Sequence, residues 1–196
     1  MANIITIDYK GKKLRLDLAT MKAVDESDIP TDFHPRVSIF PPKLAQQVWM
    51  GKNLDFDDGE GGIIRNPDHP EYGCYYTWEA AMRVAEKIPG WHLPTQLEWD
   101  MLCVAAGGSD IACKTLKADH GWPDDANGED SMGFAALPAG YFGGSFYSVG
   151  SRADFWTATD GSSNSAYYRY FDTGAQMYSR SNYKDCQYSV RLVQDS

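Results

Sequence analysis

Between Thr157 and Ser189 the chain contains no isoleucine, leucine or valine. Branched aliphatics fill most protein interiors, so a run without them reads as a segment outside the core. Other absences narrow the function. The chain lacks a basic excess: its formal net charge is −9. That argues against a nucleic-acid backbone or an anionic membrane surface as partner. It has no apolar run near the roughly 20 residues of a membrane span, so no membrane insertion is expected. Its start, Met1 to Lys13, lacks the basic-then-apolar pattern of a signal peptide. Cys74, Cys103, Cys113 and Cys186 form no CxxC pair and show no metal-ligand spacing. Reduced, partly buried thiols are expected rather than disulfides.

Aromatics are abundant instead, with six Trp, twelve Tyr and eight Phe. Each such ring buries a large area, so the core is expected to be aromatic. The first residues, Ile4 to Leu18, alternate apolar and polar around a Lys-Gly-Lys-Lys turn and read as a β-hairpin. Residues 19–45 read as irregular, with Pro30, Pro35, Pro41 and Pro42 as breakers. Gln46 to Phe56 reads as a strand and residues 57–73 as a loop. One helix starts at Thr77 and buries Ala81, Val84, Ala85 and Ile88; Pro89-Gly90 end it. A second starts at Thr95, where Thr-x-x-Glu spacing to Glu98 predicts a capping box. Leu97, Met101 and Val104 are its expected core stripe, and Gly107-Gly108 stop it. The remainder reads as short strands between polar loops. Hairpin, two helices, then strands make an α+β chain, divided at about 1–45 and 46–196.

The pieces "VWMGKNLDF", "GCYYTWEAAM", "GWHLPTQLEW", "GFAALPAGY", "FWTAT" and "YSVRLV" stand in one order over about residues 46–193. In that order the chain resembles the bacterial C-type-lectin-like domains of the Fibrobacter major paralogous type, related in fold to the formylglycine-generating enzymes. The resemblance implies a C-type lectin-like fold, two helices packed on small twisted antiparallel sheets; the N-terminal β-hairpin is an extension outside it. It also implies a face of irregular loops and outer strands that binds ligands. The variable proteins of diversity-generating retroelements use this scaffold. In them a reverse transcriptase miscopies adenines of the C-terminal coding segment.

The segment 157–188 has the residue types such miscopying leaves. Asparagine codons, AAC and AAT, convert at their adenines to Tyr, Asp, Ser, Cys and others, and never to a stop. In "AYYRYFD", Tyr168, Tyr170 and Asp172 share one strand face and Tyr167, Arg169 and Phe171 the other. The first set lies one adenine change from an Asn codon. The expected contact residues are Asp160, Ser162, Ser163, Asn164, Tyr168, Tyr170, Asp172, Tyr178, Ser179, Ser181, Asn182, Tyr183, Asp185 and Cys186. Tyr167, Arg169, Phe171, Tyr188, Val190 and Leu192 are the expected scaffold. A Tyr, Ser and Asn surface has the composition of antibody paratopes. The partner expected for it is a protein or glycan receptor on a target cell surface. The N-terminal extension would serve homo-oligomer formation or virion attachment; the missing signal peptide suits a virion (tail) protein released by lysis better than a secreted adhesin, with cell-surface display through another route as the other expectation. An undiversified adhesin or structural module is the alternative.

Sugar-binding C-type lectins hold calcium with a Glu-Pro-Asn or Gln-Pro-Asp tripeptide and a later Trp-Asn-Asp. Neither occurs here. Asn66-Pro67-Asp68 precedes the first helix, and Trp156-Thr157-Ala158 lacks the acid. No cofactor is expected, although the acidic loops around Asp55–Glu60 and Asp124–Asp130 have oxygen ligands of the kind a structural calcium takes. Catalysis is not expected either. Formylglycine-type oxidation needs two reactive cysteines near the C-terminal end, where only Cys186 stands. His92 is expected to be a framework residue hydrogen-bonded in the core.

Overall fold

The computed structural model describes residues 4–9, 12–17, 22–23 and 47–194. The chain divides into two units, residues 1–45 and 46–196. In the first, strand β1 (Ile4–Tyr9) pairs antiparallel with β2 (Lys12–Asp17), with Ile4 opposite Asp17 and Tyr9 opposite Lys12. This is the hairpin that the alternation predicts. Its Lys10-Gly11 turn lies outside the described residues. A short strand β3 (Lys22–Ala23) adds to β2, inside the stretch 19–45 expected to be irregular. The rest of residues 19–45 lies outside the described residues.

The second unit opens with an extended segment rather than the strand expected over Gln46–Phe56. Trp49 bridges Val193, the Met50 amide donates to Leu192 O at 3.0 Å, and the Leu54 amide donates to Val190 O at 2.9 Å. A bend at Gly51-Lys52 interrupts the ladder between these contacts. The loop after it contains a strand that the sequence reading missed: β4 (Ile63–Arg65) pairs with β5 (Cys74–Tyr76). Gly73 joins them at φ +71, where a Cβ would sit 2.9 Å from Leu54 O. Only glycine accepts both conditions.

Both long helices begin where their caps predict. The Thr77 hydroxyl accepts from the Ala80 amide and starts α1 (Trp78–Glu86), which buries Ala80, Ala81, Val84 and Ala85. Strand β6 (Trp91–His92) follows. At α2 (Gln96–Ala105) the capping box is complete: the Thr95 hydroxyl accepts from Glu98 N, and Thr95 N donates to Glu98 Oε2 at 2.8 Å. His92 Nε2 lies 2.7 Å from Glu98 Oε1, so this histidine extends the cap at a half-exposed edge rather than in the core. The buried face of α2 is Trp99 and Leu102, continued by Ala106. This corrects the expected Leu97 stripe, for Leu97 is 65% exposed. The indole of Trp99 decides the orientation, because it packs among Trp49, Phe134, Phe155 and Phe171. A third helix, α3 (Ala112–Leu116), is too short for periodicity to reveal; it buries Ala112, Cys113 and Leu116.

A small hairpin joins β7 (Tyr141–Phe142) to β8 (Phe146–Tyr147). The principal sheet then forms from β9 (Ala153–Asp160), β10 (Ser165–Phe171) and β11 (Met177–Tyr183), antiparallel with β10 central. Finally β12 (Val193–Gln194) returns to pair with β6. The fold is α+β: among the described residues there are three α-helices and small antiparallel sheets. Among the described residues no helix is long and apolar enough to cross a membrane.

Over β9, β10 and the start of β11 the principal sheet is covered on both faces, while Arg180, Ser181 and Tyr183 of β11 are exposed, and this governs the functional surface. One face contributes Trp156, Ala166 and Tyr168 to a cluster with α1, Tyr188, Val190 and Leu192. The other contributes Phe155, Phe171 and Met177 to a cluster with Trp99, Leu102 and α3. Arg191 lies between them, 1% exposed. Its guanidinium donates to Asn53 Oδ1 and Met50 O, each at 2.8 Å, and to the carbonyls of Phe134 and Ala135. A buried cation is tolerable only when its donors are spent in this way.

Candidate functional site

The loop between β9 and β10 is closed by its own backbone. Gly161 N and Ser162 N both donate to Ser165 O, at 3.0 and 2.9 Å. Asp160, Ser162, Ser163 and Asn164 therefore stand exposed on a fixed turn. The chain leaving β11 is tied to it: Lys184 N donates to Asn164 O at 3.0 Å, and Trp78 N donates to Lys184 O at 2.9 Å. The Lys184 ammonium lies 4.3 Å from the Trp78 ring centre and 2.9 Å from Asp160 Oδ1. Between these segments is an open groove of about 470 Å³. Ser163, Asn164, Tyr183 and Asp185 line it together with Thr77, Glu79 and Lys184. Tyr183 is 62% exposed at its rim.

A second zone runs along the sheet as a row of stacked groups. Tyr170 and Tyr178, opposite each other on β10 and β11, stack at 4.8 Å and 17°. The Arg152 guanidinium covers the Tyr170 ring at 4.2 Å and lies 5.8 Å from the Tyr141 ring. Tyr141 in turn stacks on Tyr147 at 5.3 Å. Gly140 makes this packing feasible: at φ +63 it passes so near the Tyr147 carbonyl that any Cβ would overlap it. Beneath the row, Arg152 is ion-paired with Asp154, which is fully buried. Burial pushes the Asp154 carboxyl up to about 7, against the opposing pull of Arg152.

The expected contact residues do not share one surface. Tyr168 is the clearest correction: it is 8% exposed, with its ring 4.6 Å from Tyr188 and 6.2 Å from Trp156. It belongs to the core because its face of β10 is packed against the α1 cluster. Ser179 and Ser181 lie on the opposite face, paired with Arg169 and Tyr167. The Ser179 hydroxyl is spent on Gln96 Oε1 at 2.6 Å. Asn182 donates to the Tyr188 hydroxyl at 2.6 Å, and Asp172 Oδ1 accepts from Gly174 N within the β10–β11 turn. Cys186 is half-buried near Gly143, and burial pushes its thiol pKa up. Among the expected scaffold residues, Arg169, Phe171, Tyr188, Val190 and Leu192 are buried, and Tyr167 is half-buried.

Sequence reasoning missed Tyr141, Tyr147, Arg152 and Asp154. Alternating charge at Arg152 and Asp154 reads as a solvated strand start, and no local pattern signals that β7 folds over it. The acidic loops are occupied by the protein itself. Asp55 pairs with Arg65, while Asp58 pairs with Arg83 and Lys87. Glu129 pairs with Lys114, and Asp130 Oδ1 accepts from Ala135 N. Among the described residues no three His, Cys, Asp or Glu side chains converge to hold a metal ion. All four cysteines are free thiols. Burial first, with Asp55 adding to it at Cys74, pushes Cys74 and Cys113 up to about 12.

No curated protein and no solved structure matches the chain. The family model described as the Fibrobacter succinogenes major domain matches residues 43–194. That span holds the whole arrangement just described, both helical caps, the principal sheet and the two zones beside it, and the chain belongs to this family.

Proposed function

We propose that this chain is a ligand-binding display protein on a C-type-lectin-like scaffold. Its C-terminal segment forms a diversified receptor-binding surface, as in the variable proteins of phage or bacterial diversity-generating retroelements. The observation that carries the reading is how the segment is anchored. Framework groups hold its backbone, largely without its own outward side chains. Trp78 Nε1 donates to Thr157 O at 2.9 Å. Lys117 Nζ donates to the carbonyls of Asp172 and Gly174, both at 3.0 Å, and the Cys113 thiol donates to Gln176 O. A path fixed in this way tolerates changed side chains, which is what displayed diversity requires. The pairing of Trp49 with Val193 also closes the unit near its two ends, as in C-type-lectin-like domains.

The burial of Tyr168 and the bonds of Ser179 and Asn182 favour a second reading, an undiversified adhesin or structural module, for those positions. The coding neighbourhood separates the two. Diversification predicts a template repeat with adenine-specific mismatches at the codons for Asp160–Asn164 and Arg180–Asp185, and none at the codon for Tyr168. Absence of any such repeat refutes it. An independent test randomises Asp160, Ser162, Ser163, Asn164, Tyr183 and Asp185 and selects against unrelated protein targets. Folded binders are expected; a library that mostly fails to fold would show that these positions are structural.

A further inference from the structure

The groove beside the Asp160–Asn164 turn already seats a cation that belongs to the chain. The Lys184 ammonium lies 2.9 Å from Asp160 Oδ1 and 4.3 Å from the Trp78 ring centre, and its side chain is only 12% exposed. That pairing spends Lys184 and matches Asp160. Two lining carboxylates have no match. Glu79, in the first turn of α1, and Asp185, on the chain leaving β11, are exposed, and neither is ion-paired with a described residue. Three carboxylates against one ammonium leave the groove negative. The amide end of α1 does not reverse this. Trp78 N is spent on Lys184 O and Ala80 N on the Thr77 hydroxyl, and a helix end carries only about half a unit charge. Tyr183, 62% exposed, adds an aromatic rim.

We propose that this groove binds an arginine side chain presented by a protein partner. The proposal rests on the ligand-binding reading above and names the receptor group that this part of the surface takes. At about 470 Å³ the groove has room for one extended side chain. A guanidinium presents five donors in a rigid fork, so it serves carboxylates that stand on two different segments. It also stacks on aromatic faces, where an ammonium is only a point charge. Ser163 and Asn164 line the same groove and supply side-chain oxygens for the remaining donors. A neutral sugar brings no charge to answer Glu79 and Asp185, and an acidic one is repelled. Glu79 lies outside the segment 157–188 and Asp185 inside it, so a framework acid and a displayed acid act together on one ligand.

The test titrates the full chain with N-acetyl-arginine N-methylamide while recording NMR signals, with the citrulline analogue as uncharged isostere. The arginine probe should shift the Glu79, Asn164 and Asp185 amides and the Tyr183 ring, with a dissociation constant of about 1–10 mM that rises as salt is added. Glu79→Gln and Asp185→Asn each remove one charge at an exposed position. Each should weaken the probe about threefold, and the two together about tenfold. Asp125→Asn, exposed and outside the groove, should leave its affinity unchanged. No shift, an equal shift with the citrulline analogue, or binding that survives the double substitution would each overturn the proposal. So would an equal loss in Asp125→Asn, which would show only general attraction to a chain of net charge −9. Binders recovered from the loop library while the arginine probe stays silent would sink the arginine site and leave the display reading intact. Arginine binding beside a library that mostly fails to fold would do the reverse.

Discussion

Replacing Tyr168 with alanine removes a ring that the sequence pattern places outside and the structure places inside. The ring is 8% exposed. Its neighbours are Tyr188 at 4.6 Å, Tyr170 at 5.9 Å and Trp156 at 6.2 Å. Truncating a buried aromatic costs about 3–5 kcal/mol where the site cannot collapse. Tyr168 stands at the edge of its cluster, beside half-exposed Tyr170, so partial relaxation puts the expected cost near the lower bound, at about 3 kcal/mol. For a domain of this size that is a fall of about 6–12 °C in melting temperature. Tyr168→Phe keeps the ring and loses only the hydroxyl's hydrogen bond with Arg152, which should cost about 1 kcal/mol. Tyr183→Ala is the control: Tyr183 is 62% exposed and should stay within about 0.5 kcal/mol of wild type. Urea unfolding of the three variants, with unchanged slopes, measures all of this. If Tyr168→Ala falls within the range of Tyr183→Ala, the ring is not part of the core and the assignment of the sheet faces is wrong.

Two further outcomes follow from buried charge. Arg191→Met strips four protein acceptors of their donor and should cost about 4 kcal/mol or more, read as a lower urea midpoint; a loss under about 1 kcal/mol would refute its role as the pin between the two clusters. Asp154 makes stability fall as pH rises from about 4 to about 7, because its carboxyl, pushed up to about 7 by burial, holds a proton in the folded chain that the unfolded chain has already released. Asp58 acts in the opposite sense and in a lower window: its bonds to Arg83 and Lys87 hold its pKa down, so its contribution is present above about pH 4 and is lost in more acid solution. Asp154→Asn should flatten the fall between pH 4 and 7 and leave the acid limb in place; a slope that persists in the variant belongs to another group.

What the sequence made legible was local chemistry. The starts of α1 and α2 follow from Thr77 and from the Thr95–Glu98 pair, whose partners lie within three residues. The exposed turn Asp160–Asn164 was legible for the same reason, since small polar residues there have nothing apolar to bury. The core stripe of α2 was not, because spacing alone does not say that one indole outweighs three aliphatic side chains. Nor was the pair Arg152 and Asp154, whose setting depends on β7 and β10, distant in the chain.

The aliphatic gap between Thr157 and Ser189 misled for a physical reason. A segment without Ile, Leu or Val is still core where aromatic rings and small residues do the filling, and here Ala166, Tyr168, Phe171 and Met177 do it. Alternation along β10 separates two faces, but both are covered, so neither is the outside. The freedom to vary therefore lies less in the strands than at their ends. Asp160, Ser162, Ser163 and Asn164 on one turn, and Tyr183 and Asp185 on the facing one, have side chains that no core cluster uses. Framework groups meanwhile hold the backbone on either side of them. A mechanism that rewrites adenines without regard to structure would strike Tyr168 as readily as Ser163. The chain can bear that only if the Tyr168 codon is kept out of its reach, which makes that codon the most informative position in the segment.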